Sequence, residues 1–328
     1  MSRKLADAVR IGDLSGVVKL LKEGADPNGA SRRNTRSKRV TPLTEAIEHG
    51  HLAIVAELLQ RGAKVNYKTR GVQPALHTAV YRKKEEFVRL LLENGADPNS
   101  SDESEQTAVI VAVRSNSVAV TTVLLQHGAD VSKQDYAGNS ALQIAARSGN
   151  LEIVRLLLEN GADVDQRNNS GLTAVMAATD VYRDNTEIIR FLLKHGANPN
   201  ASGNYGQTAL FRAVLWGRME NVAALLGGGA NINHQDNDGN TVLHALPYRE
   251  AAKVVRLLLS NGADVSIRNK KGMNALVHAC KRGNAAVLFE LLEAHAGISN
   301  HYSDIPHDLT RKDGPERRSG EKRKRGGP

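Results

Sequence analysis

The amino-acid sequence predicts an all-α repeat solenoid, and three observations carry that prediction. The first is a phrase, Leu-Leu-x-x-Gly-Ala-(Asp/Asn), that recurs as LLKEGADPN, LLENGADPN, LLQHGADVS, LLENGADVD, LLKHGANPN and LLSNGADVS. Its glycines are Gly24, Gly62, Gly95, Gly128, Gly161, Gly196, Gly229 and Gly262, spaced 38, 33, 33, 33, 35, 33 and 33 residues apart. The second is another phrase in step with it: TPLTEA at Thr41, PALHTA at Pro74, TAVIVA at Thr107, SALQIA at Ser140, TAVMAA at Thr173, TALFRA at Thr208, TVLHAL at Thr241 and NALVHA at Asn274. The third is composition. Aromatics make up only 4% of 328 residues, and the small, unbranched Ala and Leu that dominate suit closely stacked helices.

Within a unit each element has a physical cause. The Ser or Thr that opens the second phrase can cap the orphan amides of a helix start. Proline is tolerated in that first turn. The first helix is short and small-sided, as in residues 140–148, and a break follows at Gly149 and Asn150. The second helix reads LEIVRLLLEN, with Leu151, Ile153, Val154, Leu156, Leu157 and Leu158 at helical spacing. Gly161 stands where a left-handed cap is expected. The turn formers ADVDQRNNSG then lead to the next unit. No unit can bury its apolar face alone, so stacking must stabilise the chain.

On these two phrases the chain resembles the ankyrin repeat family, whose 33-residue unit opens T-P-L-H-x-A. The resemblance covers residues 1–299 as an array of about nine helix-turn-helix units joined by β-hairpin-like loops. It implies a curved stack whose first helices and hairpin tips form a concave recognition face, and protein binding rather than catalysis. Departures follow in chain order. The first unit lacks the TPLH phrase and reads as a cap. The second carries a basic insertion at residues 30–40. The step from Gly161 to Gly196 is two residues longer, which places residues 180–184 in a longer inter-helix turn. Pro247 is expected to kink or shorten the first helix of the eighth unit. The ninth unit ends in the degenerate LLEAHAGIS, as a terminal cap would. Residues 300–328 read as a basic, disordered tail.

Net charge is +9, and its location matters more than its size. The stretch of residues 30–40 contributes +5 and the tail from His301 +3, leaving +1 for the body. A nucleic-acid binder more often carries a basic face on the fold itself. A nucleic-acid-associated regulator using the two basic appendages therefore stays an alternative, as does a substrate-recruiting subunit or host-directed effector. One cysteine rules out an internal disulfide. No window approaches the ~20 apolar residues of a membrane span, and the N-terminal residues lack a signal-like apolar run. A monomeric protein of cytoplasm, nucleus or both is expected, without cofactor, metal or small-molecule substrate.

Few residues suggest chemistry. Gly227, Gly228 and Gly229 lack the GxxxxGK[ST] frame of a phosphate loop. His295, His301 and His307 lack metal-ligand spacing. Cys280 lies where other units have Ala146 or Ala178 and reads as a buried structural thiol. His77 and His244 occupy the family's TPLH histidine, which braces the hairpin by resemblance.

The binding expectation rests on the two positions that end each first helix. They supply Tyr81, Arg82, Arg114, Arg147, Trp216, Tyr248, Arg249, Lys281 and Arg282, and the longer turn adds Arg183. Arg, Tyr and Trp dominate interface hot spots, so the row suggests a groove for an extended acidic or acidic-aromatic segment of a protein partner. For the cations, offsetting the helix dipole is an equally physical role. For Trp216 no capping role applies. In the tail, Lys322, Arg323, Lys324 and Arg325 resemble a short nuclear localisation signal, against the alternative of a solvated tail. Ser100, Ser101 and Ser104 sit among acids as candidate phosphorylation sites. Asn66 resembles ankyrin asparagines that are hydroxylated in some members.

Overall fold

A computed structural model describes residues 3–32, 39–67, 73–179, 185–246 and 251–295. In chain order the helices are α1 (Arg3–Ile11), α2 (Leu14–Lys22), α3 (Pro42–His49), α4 (Leu52–Gln60), α5 (Ala75–Tyr81), α6 (Glu85–Glu93), α7 (Ala108–Arg114), α8 (Val118–Gln126) and α9 (Ala141–Ser148). They continue as α10 (Leu151–Glu159), α11 (Ala174–Ala178), α12 (Thr186–Lys194), α13 (Ala209–Leu215), α14 (Met219–Gly227), α15 (Ala251–Ser260), α16 (Ala275–Arg282) and α17 (Ala285–His295). A short antiparallel ladder, β1 (Ser31–Arg32) with β2 (Arg39–Val40), flanks residues 33–38, and three isolated bridges mark later hairpins. The architecture is an all-α repeat solenoid in which first helices stack on first helices and second on second.

The capping chemistry expected at the opening Ser or Thr is present at Thr41, Ser140 and Thr208 and absent at Thr107 and Thr173. Thr41 and Thr44 exchange hydrogen bonds between side chains and backbone amides at 2.9 and 3.2 Å. Ser140 and Gln143 form the same reciprocal box, while at the 3-10 turn Val242–His244 the Thr241 backbone N–H donates to His244 Nδ1 at 3.1 Å. That turn replaces the first α-helix of its unit. The shortening expected beside Pro247 is observed, and Pro247 itself lies outside the described residues. Residues 180–184, expected in a longer turn, lie outside the described residues between α11 and α12.

The core is one continuous apolar ribbon. Leu58, Leu91, Leu124, Leu157, Leu192, Leu225, Leu258 and Leu291 recur in the second helices, at most 1% exposed. Each such side chain contributes about 1.5–3 kcal/mol by leaving water. Phrase-ending glycines adopt φ near +80°, as at Gly161 (φ 83), where L side chains are strained. Gly228 has another role: a Cβ there would come 2.5 Å from Leu193 Cδ1, so the glycine run lets neighbouring second helices approach.

The hairpins form their own ladder. Asn169, Asn204, Asn237 and Lys270 donate backbone N–H groups to Ala137, Ser170, Tyr205 and Asp238 at 2.9–3.2 Å. Below the tips, Asn66, Asn99, Asn200 and Asn233 each bracket the next unit. Asn66 Nδ2 donates to the Gly95 carbonyl at 2.8 Å, and its Oδ1 accepts from the Asp97 amide at 2.9 Å. The histidine expectation is met: Nε2 of His77 contacts the Gln106 carbonyl at 2.9 Å and that of His244 the Met273 carbonyl at 3.0 Å. Cys280 departs from its expected burial, because it is exposed. Its helix α16 belongs to the last described unit, and no described unit follows to cover it.

Candidate binding surface

The ends of the first helices are tied to the bases of the following hairpins. Tyr81 donates its hydroxyl hydrogen to Asp102 at 3.2 Å. One repeat later Arg114 forms an ion pair with Asp135. Asp135 is buried and already accepts from the Ala137 and Asn139 amides at 2.9 and 2.8 Å, so the guanidinium is held by a carboxylate that the hairpin has fixed. These bonds place helix ends and hairpin bases on one surface.

The cations of the row are drawn largely into the array itself. Arg82 pairs with Glu48 at 3.2 Å across units, and Arg10 with Glu45 at 3.2 Å. Arg282 donates to the Leu246 carbonyl at 3.3 Å. Arg147 and Lys281 are exposed. Arg183, Tyr248 and Arg249 lie outside the described residues, as do Lys322, Arg323, Lys324 and Arg325 and most of the basic insertion. The electrostatic lure for an acidic ligand is thus weaker than a count of arginines suggests, because paired charges are partly neutralised.

The aromatic part of the row is different. Trp216 follows α13 directly and remains 45% exposed beside Leu215 at 39%. Its backbone N–H closes the helix on Arg212 and Val214. Tyr81 is also about half exposed. Burial first, and then the Asp102 carboxylate, push its phenol above the ordinary value.

Exposed aromatics at the hairpin tips escaped the sequence reading. Tyr136 and Tyr205 crown hairpin tips at 72% and 77% exposure. Tyr136 adjoins Asp135, the partner of Arg114, so its tip continues the surface of helix ends. A signal existed, since both are large aromatics among turn formers, where Asn169 and Asp238 stand in other units. Among the candidate modification sites, Ser101 and Ser104 are exposed. Ser100 is 7% exposed and its hydroxyl donates to the Asp97 carbonyl at 2.9 Å, so it is not a tip residue. Among the described residues no group of three His, Cys, Asp or Glu side chains is placed to hold a metal ion, and no helix is long and apolar enough to cross a membrane.

A stack of helix pairs joined by laddered hairpins defines a repeat-array protein. The model for ankyrin repeats (three copies) matches residues 5–102, 76–168, 160–236 and 220–304, and the chain belongs to the ankyrin repeat family. Ankyrin repeats are generally protein–protein interaction modules. A search of the curated proteins finds no match.

Proposed function

We propose that the chain is a non-enzymatic scaffold that captures an extended segment of a protein partner along the helix ends and hairpin tips, anchored at Trp216. The observation that carries this reading is the exposed Leu215–Trp216 pair, in a row whose equivalents Tyr81 and Arg114 are bonded to the next hairpin. A large exposed aromatic beside an exposed Leu gives a partner apolar area to bury, and such anchors concentrate binding energy. Because Arg82 and Arg114 already hold acids, the segment is aromatic or aliphatic at the anchor, with acidic residues only flanking it.

Selection of a displayed random-peptide library on the immobilised chain tests this. Enriched peptides should carry a large apolar residue and lose at least tenfold in affinity for Trp216→Ala, about 1.4 kcal/mol. The same peptides binding that variant with unchanged affinity would remove Trp216 from the site. The nucleic-acid alternative rests on residues 30–40 and the tail, mostly outside the described residues, and nothing in the described surface favours it.

A further inference from the structure

The last described unit carries an apolar face that is covered in whole or in part in earlier units. At the fourth position of the TPLH phrase, His77, Ile110, Gln143, Phe211 and His244 are at most 4% exposed, whereas Val277 is 40% exposed. Three residues on, Ile47, Val80, Val113, Ala146 and Val214 are fully buried, whereas Cys280 is exposed. In the second helices Leu92 and Leu125 are 7% exposed and their other counterparts, such as Leu158 and Leu259, are half-buried, whereas Leu292 is 51% exposed. Phe289, 59% exposed, stands where Arg256 reaches across to Glu290 of the next unit at 2.8 Å. Val277, Cys280 and Leu292 therefore point to where another unit would lie, while Phe289 stands at a position that is exposed in earlier units as well, as at Arg155 and Arg190. Terminal units of repeat arrays need a polar outer face to stay soluble, and this one has the opposite.

The chain itself supplies a cover of matching chemistry. Beyond His295 its only large apolar residues are Ile298, Tyr302, Ile305 and Leu309. After Leu309 there is none through Pro328. Ser303 suits a helix start and Pro306 falls in the first turn that follows, with Ile305 and Leu309 four residues apart on one side. The segment begins next to the face it would cover. Fourteen residues from 296 to 309 reach up to ~46 Å at about 3.3 Å each, well beyond the ~10 Å between packed helices. Tethering gives it a local concentration that a separate partner cannot match.

We propose that residues 298–309 fold back over the outer face of the α16/α17 unit, seating Ile305 and Leu309 against Val277, Cys280 and Leu292. The sole cysteine then becomes a reporter of its own burial.

The test is the rate at which Cys280 of the intact chain reacts with a small aromatic disulfide, against a short free-cysteine peptide. The double variant I305S/L309S and a chain ending at residue 299 are measured beside it. A covered thiol reacts only through local opening, so the intact chain should react roughly tenfold or more slowly than the peptide. Both altered chains should recover most of that rate, at every protein concentration. Fast reaction in the intact chain overturns the proposal, and so does slow reaction that I305S/L309S leaves unchanged. Protection that grows with protein concentration assigns the face to a second copy and overturns it equally. The serine variant keeps the test decisive if the shortened chain does not fold.

Discussion

Tyr81 donates to Asp102 at 3.2 Å, and this bond sits one repeat before the pairing of Arg114 with Asp135. The same position on the first helix thus grips the same position of the next hairpin with two different chemistries. Burial and Asp102 raise the Tyr81 phenol above 10.0, so the folded chain holds that proton more tightly than the unfolded one. The associated stability is complete below about pH 10 and is lost as pH rises through the folded value. Tyr81→Phe should abolish that alkaline loss and cost at most about 1 kcal/mol at neutral pH. Denaturant unfolding of both proteins between about pH 9 and 11 checks it, with parallel curves counting against it.

Asp135 should matter more than the arginine it holds. Its buried carboxylate accepts from two backbone amides and from Arg114. Asp135→Ala leaves those amides without an acceptor and should cost about 3 kcal/mol. Arg114→Ala leaves the carboxylate its backbone donors and should cost about 1 kcal/mol. Hydrogen exchange of α9 amides reads both, and an equal loss of protection contradicts the ranking.

Two glycines with similar backbone angles should respond differently to alanine. At Gly161 (φ 83) a Cβ meets nothing within 4 Å, so Gly161→Ala should cost only the left-handed strain, about 1–2 kcal/mol. At Gly138 (φ 75) a Cβ would lie 2.6 Å from the Asn169 backbone nitrogen. Gly138→Ala should add a clash to the strain and loosen the hairpin ladder. Thermal unfolding of the two variants gives the comparison, and equal melting temperatures would refute the clash.

The last described unit should loosen in mild acid. His278 is held below its ordinary 6.5, first by burial, then by Arg282, His244, Lys281 and Lys271. A lowered folded value means stability present above about pH 6.5 that is lost as pH falls toward the folded value. Exchange of α16 amides should therefore quicken between about pH 6.5 and 5, and His278→Phe should flatten that dependence. A pH-independent α16, after correction for intrinsic exchange, would exclude the effect.

The ladder of phrases made most of the fold legible. Thr41, Ser140 and Thr208 announce their caps, Gly161 its left-handed end, and LEIVRLLLEN its buried stripe, because each depends on local chemistry and a period. The surface was legible only in part. Trp216 is exposed as its position implied, but nothing in the local sequence says that Arg82 is held by Glu48 or Arg114 by Asp135. Those partners come from neighbouring units and meet only through stacking. Tyr136 and Tyr205 went unnoticed because a turn segment is read for its backbone, while their exposure depends on how far the tips project.

Cys280 marks the boundary between the two kinds of information. By itself the sequence determined a stack of helix pairs with interchangeable small positions, since helix capping, left-handed glycines and apolar periodicity act within a single unit. Burial of a given small position is a property of the next unit, so the place of Cys280 at the end of the array could not be read from its resemblance to Ala146. Only the tertiary structure decided that this thiol, with Val277 and Leu292, faces outward, because covering an apolar face takes a neighbour and not a sequence pattern.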